Sequence, residues 1–290
     1  MQSTMIVIAA FMAILRLAGY FTEPRLTAAD IHRIDGAPGR IQAVAIRQPL
    51  KVVTWNIERG VNFDRIASQL AAIDGDVVLL QEVDRFCRRS GSRDVARDLA
   101  EQLGMNWVAA GEYQEIGEGR SGVAAITGQA ILSRYPIQDP GVIVFTHQTR
   151  ARWRLNPVQP RRGERIALRA RTAGTLVYDL HVESGGDDRL RQQQLDDALA
   201  DAARQPDARI VIAGDFNNSA EVRPSMVATF SVPSFSDALP DGSERRTHVG
   251  HRHPIDWIFT KGLIASGGEV RGIDDASDHY PVVARLLVPE

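Results

Sequence analysis

Residues 209–217 read Arg-Ile-Val-Ile-Ala-Gly-Asp-Phe-Asn, an aliphatic run that stops at Gly214-Asp215-Phe216-Asn217. Consecutive β-branched residues signal a strand, and a run without polar alternation signals one buried on both faces. Gly214 and Asp215 alone would also suit a turn. The same grammar recurs on both sides of this stretch. Lys51–Trp55 runs into Asn56, Val77–Leu80 into Gln81-Glu82, and Thr175–Leu180 into His181. Asp256 sits among Ile255, Trp257, Ile258 and Phe259, and Asp278-His279 precedes the run Tyr280–Leu287. Helical periodicity separates these runs: Phe63–Ile73 before Asp74-Gly75, Asp94–Leu103 before Gly104, and Asp187–Arg204 before Pro206. Strands alternating with helices predict a layered α/β domain, whose ligand sites gather at strand ends. Six polar clusters at six strand ends are therefore expected on one rim.

The composition leaves room for such a domain. The chain has 290 residues, 44% hydrophobic and 24% charged, enough for a large core without covalent staples. That excludes a mini-protein, a collagen-like chain, a coiled coil and a disordered tail. The lone cysteine, Cys87, excludes an intramolecular disulfide framework and a Cys-based zinc site. A net charge of −2 gives no global field favouring nucleic acid. Of the basic residues only Lys51 and Lys261 are lysine. Arginine's planar fork suits phosphate, although codon composition is the simpler source of that bias.

The N-terminus reads differently from the rest. Ile6–Leu15 is unbroken apolar and Arg16 interrupts it. A spanning helix needs about 20 apolar residues, so this run suits a signal-peptide core better. Yet residues 1–5 carry no Lys or Arg, and Tyr20 stands where a lipoprotein box needs cysteine. Residues 1–19 are thus open to three readings: signal peptide, anchor or packed helix. Export or tethering is as compatible with them as a cytoplasmic location. Residues 20–49, with Pro24, Gly36, Pro38, Gly39 and Pro49, read as a linker into a domain at 50–290.

The strand-end inventory has a distinct chemistry. It offers Glu58, Glu82, Asp215, Asp256 and Asp278 as carboxylates, His181 and His279 as imidazoles, and Asn56 and Asn217 as carboxamides. Oxygen-rich sets of this kind suit Mg²⁺ or Mn²⁺. A Gly-x-Ser-x-Gly elbow, a phosphate-binding Gly-x-x-x-x-Gly-Lys loop and a dinucleotide Gly-x-Gly-x-x-Gly strand-turn-helix do not appear. These absences disfavour acyl hydrolases, nucleoside triphosphatases and dehydrogenases. Metal-assisted hydrolysis remains, with a cation on a phosphoryl oxygen, a carboxylate on water and histidine as acid or charge stabiliser.

Six segments in register carry a resemblance: TWNIERG (54–60), LLQEVD (79–84), AILSRYPI (130–137), IAGDFNN (212–218), PIDWIF (254–259) and SDHYPV (277–282). Over roughly residues 50–288 the chain resembles the endonuclease/exonuclease/phosphatase superfamily, which includes DNase I, apurinic endonucleases, neutral sphingomyelinases and inositol polyphosphate 5-phosphatases. The resemblance implies a four-layer α/β sandwich, with two packed mixed β-sheets flanked by helices. It also implies roles. Glu82 resembles the main metal ligand, with Asn56 beside it, and Glu58 and Asp278 stand near the metal. Asp215 resembles the residue that activates water, held by Asn217. His279 resembles the histidine facing the scissile phosphate, with Asp256 fixing its tautomer. His181 resembles the second histidine of the DNase I and sphingomyelinase branches.

The departures are informative. His181 stands where apurinic endonucleases have tyrosine, and the 5-phosphatase motifs around Asp215 and Asp256 are not matched. Pro254 occupies a position where many relatives have arginine. No carboxylate in Gly122–Leu132 offers itself as a partner for His181. Arginines 150, 152, 154, 161, 162, 165, 169 and 171, with Trp153, form either a polyanion-binding surface or a solvated hairpin. Arg162 and Arg165 are the substrate-binding candidates there. Arg252 is another, in the loop of Arg245-Arg246-Thr247-His248 and His251-Arg252-His253. Gly111–Gly128, rich in glycine, reads as a mobile rim loop.

The expected protein is a Mg²⁺- or Mn²⁺-dependent phosphodiester hydrolase, first of all a nuclease acting on nucleic acid. Membrane phospholipid is the alternative substrate. A non-catalytic binding protein would need a gap among Glu82, His181, Asp215, Asn217 and His279, and all are present. No protein partner is indicated and a monomer is expected.

Overall fold

The computed structural model describes residues 22–41, 45–149, 160–185, 187–220, 228–231, 233–239, 245–272 and 275–289. The apolar segment 1–19 and Arg150, Arg152, Trp153 and Arg154 lie outside them. The first half of the chain holds α1 (Ala28–Ile31), β1 (Asp35–Ala37), β2 (Leu50–Asn56), α2 (Phe63–Ile73), β3 (Val77–Arg85), α3 (Val95–Leu103), β4 (Asn106–Glu115), β5 (Ile126–Ser133) and β6 (Gln138–Val144). The second half holds β7 (Arg161–Gly163), β8 (Ile166–Thr172), β9 (Thr175–His181), α4 (Asp188–Arg204), β10 (Ile210–Asp215), β11 (Ser236–Asp237), β12 (Asp256–Lys261), β13 (Ile264–Val270) and β14 (Val282–Leu287).

The apolar runs sort themselves by period two. In β2, Val52 faces one apolar cluster and Val53 another; in β10, Val211 and Ile212 divide in the same way. Leu79, Val52 and Ala284 of the first sheet meet Leu168, Val177, Val211 and Ile258 of the second in a shared inter-sheet core. On the outer face of the first sheet, Val53, Trp55, Val78 and Leu80 pack on Phe63, Ile66 and Leu70 of α2 and on Val95 and Leu99 of α3. On the outer face of the second, Tyr178, Leu180, Ile212 and Phe259 pack on Leu195, Ala198 and Ala202 of α4. The result is four layers: helices, sheet, sheet, helix. The central strands of both sheets are covered on both faces, which is why they lack polar alternation.

Helix boundaries follow local chemistry. Asp94 accepts from Arg97 N, and Gly104 closes α3 in the left-handed region (φ 65°). Asp187 accepts from Leu190 N at 2.9 Å to start α4. Both are N-cap bonds that satisfy otherwise orphaned amides. Among the described residues no helix is long and apolar enough to cross a membrane.

The first sheet runs β1-β4-β5-β3-β2-β14-β13, with β7 also on β4; the second runs β11-β12-β10-β9-β8-β6. β2 and β3 are parallel neighbours, as are β9 and β10, so their C-terminal ends open on the same side within each sheet.

Three expectations are corrected. The described part of the stretch read as a linker is built into the domain: β1 pairs with β4, and Glu23 accepts from the amides of Gly117 and Gly119 at 3.0 and 2.9 Å. Backbone pairing of this kind leaves no mark on composition. Gly111–Gly128 is not one loop, because β4 extends to Glu115 and β5 starts at Ile126. Among the described members of the arginine run, most are paired with carboxylates and do not form one open surface. Arg161 pairs with Glu115, Arg169 with Asp201 and Arg171 with Asp207. Arg165 is 3% exposed and donates to Glu112 Oε2 at 2.9 Å, while Arg162 stays exposed.

Two stability changes follow. Leu79→Ala, at a fully buried inter-sheet position, is expected to lower the unfolding free energy by about 2–5 kcal/mol in urea titrations. Arg165→Met is expected to cost about 3–5 kcal/mol, because Glu112, lifted to about 7 by burial, would lose the buried cation that opposes that shift and its 2.9 Å bond. Wild-type stability in Arg165→Met would return Arg165 to the list of free substrate contacts.

Candidate active site

Strand register brings the first three groups together. Asp215 pairs in register with His181 of β9 on one side and with Asp256 of β12 on the other. The three therefore form one row across the end of the second sheet. The row needs Gly214: its φ is 145°, and a Cβ there would stand 1.9 Å from Leu180 O of β9. No side chain larger than hydrogen fits between these strands. Asn217 turns the chain out of the row at φ 47°. Its amide donates to Asp215 Oδ1 at 3.0 Å and its Nδ2 to Val182 O at 3.1 Å.

The first sheet supplies the other half. Asn56, at the end of β2, donates from Nδ2 to Asp215 Oδ2 at 3.1 Å. Beside it β3 bulges between Leu80 and Val83, and Glu82 sits in the bulge at φ 53°. Bulges re-aim side chains at functional rims. The segment before β14 carries Ser277, Asp278 and His279. Ser277 Oγ donates to Asn56 O at 2.7 Å and accepts from His279 N at 3.1 Å. Trp55 Nε1, in a fully buried side chain, donates to His279 O at 2.9 Å. The two sheets thus meet through main-chain and side-chain bonds around a common point.

That point is Asp215 Oδ2. His181 Nε2 and His279 Nε2 each lie 3.6 Å from it. His279 Nδ1 is held between both oxygens of Asp256 at 3.1 and 3.0 Å. Burial opposes charge on His279, but Asp256 and then Asp215 outweigh it and raise its pKa to about 10. His181 goes the other way: burial first, then the Arg165 charge, push it well below the ordinary range. One imidazole is therefore cationic and the other neutral. Burial, opposed by His279 and reinforced by Asp256, lifts Asp215 to about 7.

The carboxylates expected at the metal lie on the other side of Asn56. Burial and then the charges of Asp278 and Glu82 raise the Glu58 pKa, although Arg59 opposes them. Three carboxylates are thus close enough to repel one another. Glu82 and Asp278 keep 27% and 42% of their side-chain surface open. With the Asn56 carboxamide they make an all-oxygen donor set whose excess negative charge suits a hard divalent cation. Two His/carboxylate triplets, Asp215-Asp256-His279 and His248-Asp278-His279, also hold ligand atoms within 4.8 Å of one another. Both depend on His279, whose ring nitrogens already face Asp256 and Asp215, so the oxygen set fits a cation better.

The structure adds one group that the sequence reading missed. Glu112 on β4 places Oε2 3.6 Å from His181 Nδ1 and is 1% exposed. It is the carboxylate partner sought in vain near Gly122–Leu132. The polar string Glu112-Tyr113-Gln114-Glu115 after Gly111 concealed it, since such a string reads as loop. Asn218, next to Asn217, also does more than its position suggested: its Oδ1 accepts from Trp257 Nε1 at 2.9 Å. Of the three arginines named as substrate contacts, Arg165 lies behind Glu112, whereas Arg162 and Arg252 are exposed.

The sequence model of the endonuclease/exonuclease/phosphatase family matches residues 53–279. A UPF0294 protein of Vibrio cholerae is 26% identical over 243 residues, covering 82% of this chain and 77% of that protein. The structure of an endonuclease/exonuclease/phosphatase from Beutenbergia cavernae superposes with a TM-score of 0.63 at 22% identity, covering 83% of this chain and 72% of that one. A 3'-5' exonuclease from Neisseria meningitidis superposes with a TM-score of 0.57 at 19% identity, covering 81% and 99%. At these identities the two structures speak for the fold alone. The family match spans most of the chain, and the chain belongs to the endonuclease/exonuclease/phosphatase family of divalent-metal-dependent hydrolases.

Proposed function

We propose that the protein is a Mg²⁺- or Mn²⁺-dependent phosphodiester hydrolase whose substrate is a nucleic acid. One observation carries the reading: a buried carboxylate, Asp215, is flanked at 3.6 Å by two imidazoles, one neutral and one cationic. Family membership spans nucleases and phosphatases, so it does not choose between diester and monoester. Exposed Arg162 and exposed Arg252, the latter on the loop entering β12, support a substrate with flanking phosphates.

The chain's own groups divide the work. Asp215, with a pKa near neutrality, accepts the proton of the attacking water as its oxygen bonds to phosphorus. Asn56 and the Asn217 amide hold that carboxylate in place. His279, kept cationic by Asp256, stabilises the extra charge and gives a proton to the departing oxygen as its bond to phosphorus breaks. His181, neutral and with Glu112 behind its Nδ1, lines the site beside Asp215 without adding positive charge. Glu82, Asn56, Asp278 and Glu58 would hold a divalent ion, which when bound would supply Lewis-acid polarisation of a phosphoryl oxygen.

A second reading is a phospholipid phosphodiesterase. A specific feature favours it: the apolar run Ile6–Leu15, which would bring the domain to a membrane. Nicking of supercoiled plasmid by the full chain with Mg²⁺ or Mn²⁺ tests both. Loss of nicking in EDTA, and a fall of about 10²–10⁴-fold in Asp215→Ala, is expected, with Glu82→Ala rescued in part by higher metal concentration. A folded wild-type protein that leaves plasmid intact but cleaves sphingomyelin vesicles would transfer the assignment to lipid.

A further inference from the structure

The loop 245–253 sets three imidazoles in a row beside the site. The His248 ring stands 4.5 Å from that of His279 at an angle of 78°, His251 stands 4.8 Å from His248, and His253 stands 5.2 Å from His251. The nearest of these rings is held firmly. Tyr280 N donates to Thr247 O at 2.7 Å, Val249 N donates to Asp278 O at 2.9 Å, and His248 forms an antiparallel bridge with His279. Thr247 is fully buried, and its Oγ1 accepts from the amides of Ile255 and Asp256 at 3.0 and 3.1 Å. His248 is therefore carried on backbone zipped to the segment that bears His279 and anchored to the start of β12.

A backbone bond sets the tautomer of His248. Gly250 N donates to His248 Nδ1 at 2.8 Å. A main-chain amide can only donate, so Nδ1 is the acceptor and the ring proton resides on Nε2. The approach is close: a Cβ at position 250 would meet His248 Cε1 at 3.0 Å, a contact that glycine avoids. Nε2 lies 3.5 Å from Asp278 Oδ2, too far for a proper hydrogen bond, and the side chain is 17% exposed. An oriented N–H thus opens onto the Asp278 side of the site with its capacity unspent.

The same bond argues against metal ligation by His248. A cation on Nε2 would force the proton to Nδ1, against the Gly250 amide. Hydrolysis of a phosphoester needs the opposite property, a fixed donor aimed at developing negative charge.

We propose that His248 is a substrate-binding residue whose Nε2–H donates a hydrogen bond to an oxygen of the phosphoryl group held at the site. The inference rests on the phosphodiesterase reading and adds to it a further imidazole, on the Asp278 side.

The test combines a spectrum with a binding measurement on the full chain. Long-range ¹H–¹⁵N spectra of histidine-labelled wild-type protein should show a neutral His248 with its proton on Nε2. That resonance should move when inorganic phosphate is added in the presence of Mg²⁺. Calorimetry should show phosphate binding weakened about tenfold or more in His248→Phe, the range for one hydrogen bond to a charged group. His248→Gln, which restores an amide donor, should recover most of the affinity. Diester hydrolysis should fall in step, with the melting temperature unchanged. A proton on Nδ1, a phosphate-insensitive resonance, or a His248→Phe protein that binds and hydrolyses like wild type would overturn the proposal while leaving the hydrolase reading intact. A wild-type protein that neither binds phosphate nor cleaves any diester would overturn both. The spectrum needs no variant, so a His248→Phe protein that fails to fold would still leave the tautomer and the phosphate response to decide.

Discussion

The hydrogen bond from Asn56 Nδ2 to Asp215 Oδ2, 3.1 Å long, joins the two sheets where the polar strand ends converge. Asn56 closes β2 in one sheet and Asp215 closes β10 in the other, and both are at most 2% exposed. A carboxylate this deep would be costly without donors. Asn56, the Asn217 amide and two histidines surround it instead. The bond can form only if the sheets keep their separation, which the inter-sheet packing of Leu79, Val52, Val177 and Val211 sets. Core packing and site geometry are therefore one problem in this fold. A cavity between the sheets would be felt at the water-activating carboxylate as well as in stability.

The chain accepts unfavourable features close to that bond. Glu58, Arg59, Glu82 and Asn217 all have positive φ, at 45°, 68°, 53° and 47°. Apart from asparagine, such residues rarely adopt this conformation, at a cost on the order of 1–3 kcal/mol each. Buried charge adds to the burden. Behind His181, Glu112 pairs with Arg165; further along β4, Glu115 meets Arg161 and Arg89, and Arg89 grips Asp84 through two bonds of 2.7 Å. Between the sheets Gln81 donates to Asp179, whose carboxyl is pushed well above the usual range by burial. Paired charges of this kind add little net stability but are costly to break singly. They hold β4, and with it Glu112, in one place behind the neutral imidazole.

Much of this was legible in local sequence. The helix ends at Asp94, Gly104 and Asp187 were readable because capping is a contact between residues three or four apart. The strands at Val77, Thr175 and Ile210 were readable because double burial leaves unbroken aliphatic runs. Asn56, Glu82, His181, Asp215, Asp256 and His279 stood out because each is a polar residue ending or entering such a run. Elements that owe their existence to main-chain pairing were not readable. β1 is three residues of Asp35-Gly-Ala37, held by backbone bonds to β4. The far end of β4 looked like loop because its side chains are polar, and they are polar because Glu112 and Glu115 pair with Arg165, Arg161 and Arg89 while Gln114 bonds to Pro24 and Leu26.

What the sequence by itself determined is which chemical groups stand at the ends of which strands, since alternation, capping and turn chemistry act over a few residues. What only the tertiary structure decided is which of those groups touch. Asn56 and Asp215 are 159 positions apart, and Trp55 and the His279 carbonyl it holds are 224 apart. Arg165 shows the same limit from the other side: its type suggested a phosphate contact, while its burial against Glu112 gives it a structural one. Contacts at such separation depend on how two sheets stack and in what register their strands pair, and neither is encoded within any single run of residues.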